Sequence, residues 1–262
     1  MSDSIQGSPM PFRRLTLAAA LILLPATLAG CADVPQSPEA KAEANAVNDP
    51  LESVNRVTFD VNDFMDRLLI HPLTELYRFA MPDYLRGRIA NILSNMGEPV
   101  VFANALMQGR TGAAETTAER FLTNTTVGVG GVFDVATDWH MPAQSADFGQ
   151  TLSSWGVASG PYLVLPLFGP SNFRDALGLG VDMVMSPWQY LAGIGGNGTQ
   201  DRYDYSDFAA DGLTRSDQNL DGYDALRSGS LDFYAEMRSV YRQYRDKQLG
   251  VKTSEPSFDE IP

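Results

Sequence analysis

Glycine and proline interrupt this chain so often that no stretch after residue 31 carries eighteen consecutive apolar residues. A helix that spans a bilayer needs about twenty, so the sequence predicts none. Segments of about ten residues alternating apolar and polar, the signature of an outer-membrane barrel, are missing as well. The 23 glycines and 16 prolines instead punctuate a series of helical periodicities. The pattern points to an all-α protein, a bundle of short amphipathic helices with Gly/Pro-rich connections.

The N-terminus reads as a targeting segment. Arg13 and Arg14 precede an apolar run from Leu15 to Leu28, interrupted by Pro25 and ending in Leu28-Ala29-Gly30-Cys31. The run is too short to cross a bilayer comfortably. Small residues ahead of a cysteine resemble a bacterial lipobox. That resemblance implies removal of residues 1–30, diacylation of the Cys31 thiol and acylation of the new amine. An ordinary secretory signal is the alternative, but the chain's single cysteine stands at the cleavage point. Met10 offers a second possible start, and the twin arginine lacks the rest of a Tat motif. Ala32, in place of an Asp directly after the cysteine, favours an outer-membrane address on the periplasmic side. Residues 31–47, rich in Ala, Pro and Glu, form a lipidated tether. Each buried methylene contributes about 0.8 kcal/mol, so two or three acyl chains anchor stably.

Charge and soft ligands narrow the function classes. With 19 basic and 32 acidic residues the net charge is −13, and no basic block is present. Nucleic acid is therefore not an expected partner. One cysteine and two histidines exclude an internal disulfide, a zinc finger and an iron–sulfur cluster. Neither a metal nor a cofactor is expected.

Helical signals begin at Asp49-Pro50-Leu51-Glu52, with Asp49 as N-cap, Pro50 at the first helical position and Glu52 closing a capping box. Leu51, Val54, Val57, Val61, Phe64 and Leu68 then form one apolar face. A second helix follows Pro82-Asp83 through Leu85, Ile89, Ile92 and Met96, and Gly97 and Pro99 break it. A short third helix stops at Gly109, and a fourth covers Ala113 to Leu122. Trp155 to Asn172, with six Gly and Pro, predicts neither a long helix nor a regular strand. Ser171 caps the next helix, and a last helix starts near Ser230 with Leu231, Tyr234, Met237, Tyr241 and Tyr244 on one face. Arg238, Arg242 and Arg245 sit toward its C-terminal end, where cations suit the macrodipole. Residues 48–250 thus read as one helical domain, and 251–262 as a disordered acidic tail.

Catalytic constellations are weak. His71 and His140 lack a Ser, Cys or acid at a catalytic spacing, and Gly-x-Ser-x-Gly does not occur. The chain does not read as an enzyme. Asp217, Asn219, Asp221 and Gly222 match the start of an EF-hand loop, but Ser228 replaces the bidentate Glu. A solvated turn between helices is the stronger reading, and Asp201, Asp204, Asp207 and Asp211 extend it as a wet acidic loop. Gly128, Gly130 and Gly131 interrupt helical periodicity with a tightly turned or flexible backbone, but a phosphate-binding loop would need a flanking strand and a Lys. These glycines are candidates for a hinge or lipid path, with tight packing the competing role.

A family resemblance runs through most of the chain. Its residues include Asn48-Asp49-Pro50-Leu51-Glu52, Asn55-Arg56, Asn91, Asn95, Glu98-Pro99, Asn104, Gln108-Gly109 and Arg120-Phe121. They continue through Asn124-Thr125-Thr126, Gly128, Gly130-Gly131, Phe133-Asp134, Asp147-Phe148-Gly149-Gln150-Thr151-Leu152, Gly160-Pro161-Tyr162, Arg174-Asp175, Tyr234 and Arg238. These resemble the MlaA (VacJ) family of phospholipid-transport lipoproteins. Departures are Phe233, where the family pattern has Pro, and an acidic insert around Asp201 to Asp221. The resemblance implies a ring-like, all-helical protein in the inner leaflet of the outer membrane with a polar central channel. It implies association with trimeric porins, removal of phospholipids misplaced in the outer leaflet, and delivery to the periplasmic carrier MlaC. Asp147, Gly149 and Gly160 join the three glycines above as lipid-path or hinge candidates. A lipid-anchored scaffold or surface-virulence lipoprotein without transport is the alternative.

Overall fold

The computed structural model describes residues 48–188, 190 and 199–251. The leader 1–30, the tether with Cys31, and the tail beyond Val251 lie outside the described residues.

Helix α1 spans Glu52–Met65, passes into a π-helical turn at Asp66–Ile70, and continues as α2, His71–Ala80. Pro72 explains the turn. It has no N–H to offer the carbonyl four residues back, and the ladder widens, with the His71 N–H donating to the Asp66 carbonyl. Asp49 is not the N-cap that the sequence predicts. Its side chain turns inward, and only its backbone carbonyl receives the Glu52 N–H, at 3.3 Å. Glu52 closes no capping box and instead accepts from Arg56 Nε at 2.8 Å.

Helix α3 runs unbroken from Asp83 to Met107, through Gly97 and Pro99. Loss of the Pro99 N–H costs one rung, which packing against α4 (Thr111–Thr126) outweighs. The predicted second and third helices are therefore one. Gly109, at φ +72°, makes the turn into α4. Short helices α5, Val135–Asp138, and α6, Phe148–Ser154, start at Asp134 and Asp147, whose carboxylates accept the Thr137 and Gln150 N–H.

The Gly/Pro-rich stretch after Trp155 does hold regular strands. Tyr162–Leu165 (β1) pairs antiparallel with Gly169–Asn172 (β2), from Tyr162 opposite Asn172 to Leu165 opposite Gly169. The other edge of β1 is covered by side chains. Asn55 Nδ2 donates to the Tyr162 carbonyl at 3.0 Å, and the Val164 N–H donates to Asn55 Oδ1 at 3.0 Å. Two helical turns on, Asn62 repeats the pattern with the Leu165 carbonyl and the Leu167 N–H, at 2.9 and 3.0 Å. Two amides on α1 do the work of a third strand, which leaves that edge closed to foreign chains.

Helix α7 spans Phe173–Met185; its N-cap is Asn172, which accepts the Asp175 N–H, and not Ser171. The acidic insert is neither turn nor wet loop but a single helix, α8, Thr199–Gly229. Asp217 and Asp221 lie one turn apart on it and meet Arg78 of α2, both at 2.7 Å, while Asp217 also meets Arg86 of α3. They form no calcium loop, because they lie within a helix and the protein's own cations already occupy the carboxylates. His71 likewise pairs with Asp224 of α8, at 3.1 Å. Helix α9, Phe233–Leu249, starts at Asp232 and ends at Gly250 in the left-handed region.

Polar side chains take a large share of the interior, and apolar ones a large share of the surface. Phe59, Tyr162, Val164 and Tyr234 form a small aromatic-rich cluster. The largest fully buried side chains are Asn104, Thr74, Thr117 and Thr151. Meanwhile Val57, Val61 and Phe64 of α1 and Leu68 of the π-helical turn, one apolar stripe, face outward, and Phe79 on α2 is 90% exposed. Such a contiguous exposed apolar face marks contact with a partner or with lipid. Among the described residues no helix is long and apolar enough to cross a membrane.

Candidate functional site

Two of the six predicted path residues, Asp147 and Gly149, meet in one polar cluster where α6, α7, α9 and the hairpin come together, and a third, Gly160, borders the cleft beside it. Asp147 binds Arg245 of α9 through both carboxylate oxygens, at 2.6 and 3.2 Å. Asp175 of α7 lies between two guanidinium groups, with Arg245 Nε at 2.7 Å and Arg174 Nε at 3.0 Å. It also accepts the Tyr241 hydroxyl at 2.8 Å and Asn172 Nδ2 at 2.7 Å. Burial alone would push the Asp175 carboxyl up, but the bonds and charge of Arg245 outweigh it and hold it below the usual range.

Gly149 sits against this cluster. A Cβ there would come within 2.5 Å of Asp175 Oδ1 and 2.9 Å of Arg245 Nη2. One helix away, a Cβ at Gly178 would meet the Gly149 backbone nitrogen at 2.4 Å, so α6 and α7 approach backbone to backbone. A further polar chain ties these helices to α3. The Phe148 N–H donates to Asp182 Oδ2 at 2.9 Å, Asn104 Nδ2 donates to Asp182 Oδ1 at 2.7 Å, and Thr151 donates to Asn104 Oδ1 at 2.8 Å. Burial pushes the Asp182 carboxyl up despite those bonds.

A cleft of about 310 Å³ opens beside the cluster. Gly160 forms part of its wall, with φ +70° and its Cβ position 2.9 Å from Phe173 Cβ. Arg174, Arg242 and Arg245 line it together with Tyr162, Ser153 and Asp246. Arg174 and Tyr162 are 4% and 3% exposed, so charge and hydroxyl are set into the protein and not spread on its surface.

The other three candidates lie elsewhere, in the turn between α4 and α5. A Cβ at Gly128 would lie 2.2 Å from the Phe133 carbonyl oxygen, and one at Gly131 2.7 Å from Asn95 Cβ. Gly130, at φ +70°, has open space around it. Beneath this turn, Arg120 is 2% exposed and holds Glu98 at 3.2 Å and Asp134 at 3.2 Å. Burial outweighs Arg120 and pushes the Glu98 carboxyl up.

Arg245 and Tyr162 escape the sequence reading. The arginines of α9 are not mainly dipole partners: Arg238 reaches Asp49 at 2.7 Å, and Arg245 reaches Asp147 and Asp175. A signal was present, since Tyr234, Arg238, Tyr241 and Arg245 recur every three or four residues on one face. Leu231, assigned to that face, is fully exposed, and Tyr244 is 59% exposed.

The MlaA lipoprotein family pattern matches residues 47–248. The chain belongs to the MlaA lipoprotein family. Its relatives include the intermembrane phospholipid transport system lipoprotein MlaA of Escherichia coli strain K12, 30% identical over 232 residues, 87% of this chain and 86% of that protein. The protein of the same name from Haemophilus influenzae is 32% identical, covering 75% of this chain and 77% of that one. An uncharacterized protein of Rickettsia felis is 32% identical over 78% of each. A chain solved to show the structural basis for maintenance of bacterial outer membrane lipid asymmetry superposes with a TM-score of 0.66. It is 31% identical, and the match covers 77% of this chain and 98% of that one. The mostly helical fold, with no spanning helix among the described residues, is thus that of the family.

Proposed function

We propose that this protein is the outer-membrane component of an intermembrane phospholipid transport system. It is anchored through acylated Cys31 on the periplasmic side and embedded in the inner leaflet as a ring-like body. It removes phospholipids misplaced in the outer leaflet along a polar channel, beside a trimeric porin, and passes them to the periplasmic carrier MlaC. The role is transport and not catalysis. The observation that carries this reading is the outward apolar face of α1 and α2 in a member of this family, with Val61, Phe64 and Phe79 exposed. An apolar rim is stable in acyl chains without a spanning helix. A polar path beside that rim would spare a phosphate headgroup the several kcal/mol, or more, of entering hydrocarbon. Asp147, Gly149 and Gly160 border the polar part of this path, and Gly128, Gly130 and Gly131 form the turn that would hinge it.

The test is lipid capture. The purified acylated protein should carry phospholipid and release it to MlaC. Protein that reaches the outer membrane and binds porin but neither holds nor transfers phospholipid would support a scaffold role instead.

A further inference from the structure

Three features of the cleft beside α9 are not explained by folding. The first is Tyr162. Its ring packs against Tyr234 and Tyr241, yet its buried hydroxyl has no hydrogen-bond partner among the described residues. A buried hydroxyl left unpaired is a net cost to folding. Burial raises its pKa, so it stays a neutral donor. The second is Arg174, 4% exposed, whose Nε is held by Asp175 while Nη1 reaches only the Val157 carbonyl, at 3.5 Å. Its guanidinium is thus held at Nε by a carboxylate, and the residue lines the cleft. The third is charge balance. Asp147 and Asp175 neutralise Arg245 and Arg174, and Arg242 and Asp246 add one charge of each sign at the rim. A purely cationic pocket would suit an anion; this one carries both signs.

We propose that the cleft binds the headgroup of a zwitterionic phospholipid, with Arg174 and the Tyr162 hydroxyl on the phosphodiester and Asp246 on the primary ammonium. The assignment rests on the transport reading above and adds a defined subsite to it. A guanidinium held at Nε suits phosphate oxygens, and a neutral hydroxyl adds a donor without adding charge. A volume of about 310 Å³ accommodates a glycerophosphoethanolamine but not acyl chains as well, which leaves the tails outside.

The experiment uses the full-length acylated protein in detergent and titrates it with glycerophosphoethanolamine, glycerophosphoglycerol and inorganic phosphate by calorimetry. The first should bind best. Tyr162→Phe removes a hydroxyl that bonds nothing in the free protein, so it should fold as well as the parent while binding falls about tenfold. Asp246→Asn should abolish the preference for glycerophosphoethanolamine over glycerophosphoglycerol while leaving glycerophosphoglycerol binding intact. Lipid retained from an equimolar mixture of phosphatidylethanolamine and phosphatidylglycerol should show the same loss of preference. Equal binding of inorganic phosphate, or unchanged binding and preference in both variants, overturns the subsite while retained lipid leaves the transport reading standing. Absence of any retained phospholipid in the parent protein overturns the transport reading itself, and the subsite with it.

Discussion

The Asp49 carboxylate, almost completely buried, lies 2.7 Å from the guanidinium of Arg238, 189 residues later in the chain. The same carboxylate accepts from the Tyr234 hydroxyl and from Asn55 Nδ2, the latter at 2.8 Å. The last helix is thereby fastened to the first turn of the domain, and the element order closes on itself. Arg238 is held in the same grip, with its side chain 13% exposed.

Removing that carboxylate should therefore uncouple both ends of the domain. Asp49→Ala leaves Arg238 and the Tyr234 hydroxyl buried without their partner, a loss of about 3–5 kcal/mol. Urea unfolding of the detergent-solubilised protein measures it. Tyr234→Phe removes only one hydrogen bond and should cost about 1–2 kcal/mol. Equal midpoints for parent and Asp49→Ala would show that the clasp holds nothing.

Asn55 and Asn62 give a second prediction. Asn55→Leu keeps the side chain's approximate size but strands the Tyr162 carbonyl and the Val164 N–H inside the protein. Each orphaned group costs about 1–3 kcal/mol, so Asn55→Leu should be less stable than the parent despite its added apolar area. Hydrogen exchange should accelerate first at Val164, and at Leu167 in the corresponding Asn62→Leu variant.

The glycines divide by geometry. Gly128→Ala and Gly149→Ala force a Cβ against a backbone carbonyl and against a buried ion pair, and should cost about 2 kcal/mol or more with loss of protein abundance. Gly130→Ala meets nothing and bears only the strain of a positive φ, about 1 kcal/mol. Gly130 is thus the position at which hinge motion can be tested apart from packing. If Gly130→Ala is stable, reaches the membrane and still transports normally, the turn is not a hinge.

Acid sensitivity follows from Asp175. Its carboxyl lies below the ordinary 3.8 in the folded protein because of Arg245 and the Tyr241 hydroxyl, overcoming the opposing effect of burial. The folded state then binds this proton less readily than the unfolded chain. The resulting stability is fully present above the ordinary value and is lost as pH falls through the depressed one. Asp175→Asn should be less stable at neutral pH and should flatten this part of the acid-side decline. Parallel curves for parent and variant from about pH 6 to about pH 3 would contradict the assignment.

The helices were legible because their periodicities are local, but which side of each faces inward was not. An apolar stripe such as Val57, Val61 and Phe64 has the same spacing whether it packs a core or meets lipid. The hairpin was hidden for another reason: Asn55 and Asn62, more than 100 residues earlier, supply what a neighbouring strand ordinarily would. Pro99 misled because its local cost is outweighed by α4, a tertiary contact. The candidate cleft was half visible. Asp147, Gly149 and Gly160 lie in a recognisable block, whereas Arg245 declares its role only when Asp147, 98 residues away, is brought to it.

The outward stripe makes its own prediction. Phe64→Ser with Phe79→Ser should change unfolding by no more than about 0.5 kcal/mol per site, since both rings are exposed. Their removal from acyl chains should nonetheless weaken liposome binding of the unacylated Cys31→Ser protein about a hundredfold, at roughly 1.5 kcal/mol per ring. Unchanged flotation would place this face against something other than lipid.

Transport itself is tested most directly by labelling outer-leaflet phospholipid on intact cells of a deletion strain and of the same strain complemented with the parent gene. Outer-leaflet phospholipid should accumulate on deletion and return to the parental level on complementation. Equal labelling with and without the protein would contradict a role in removing misplaced phospholipid.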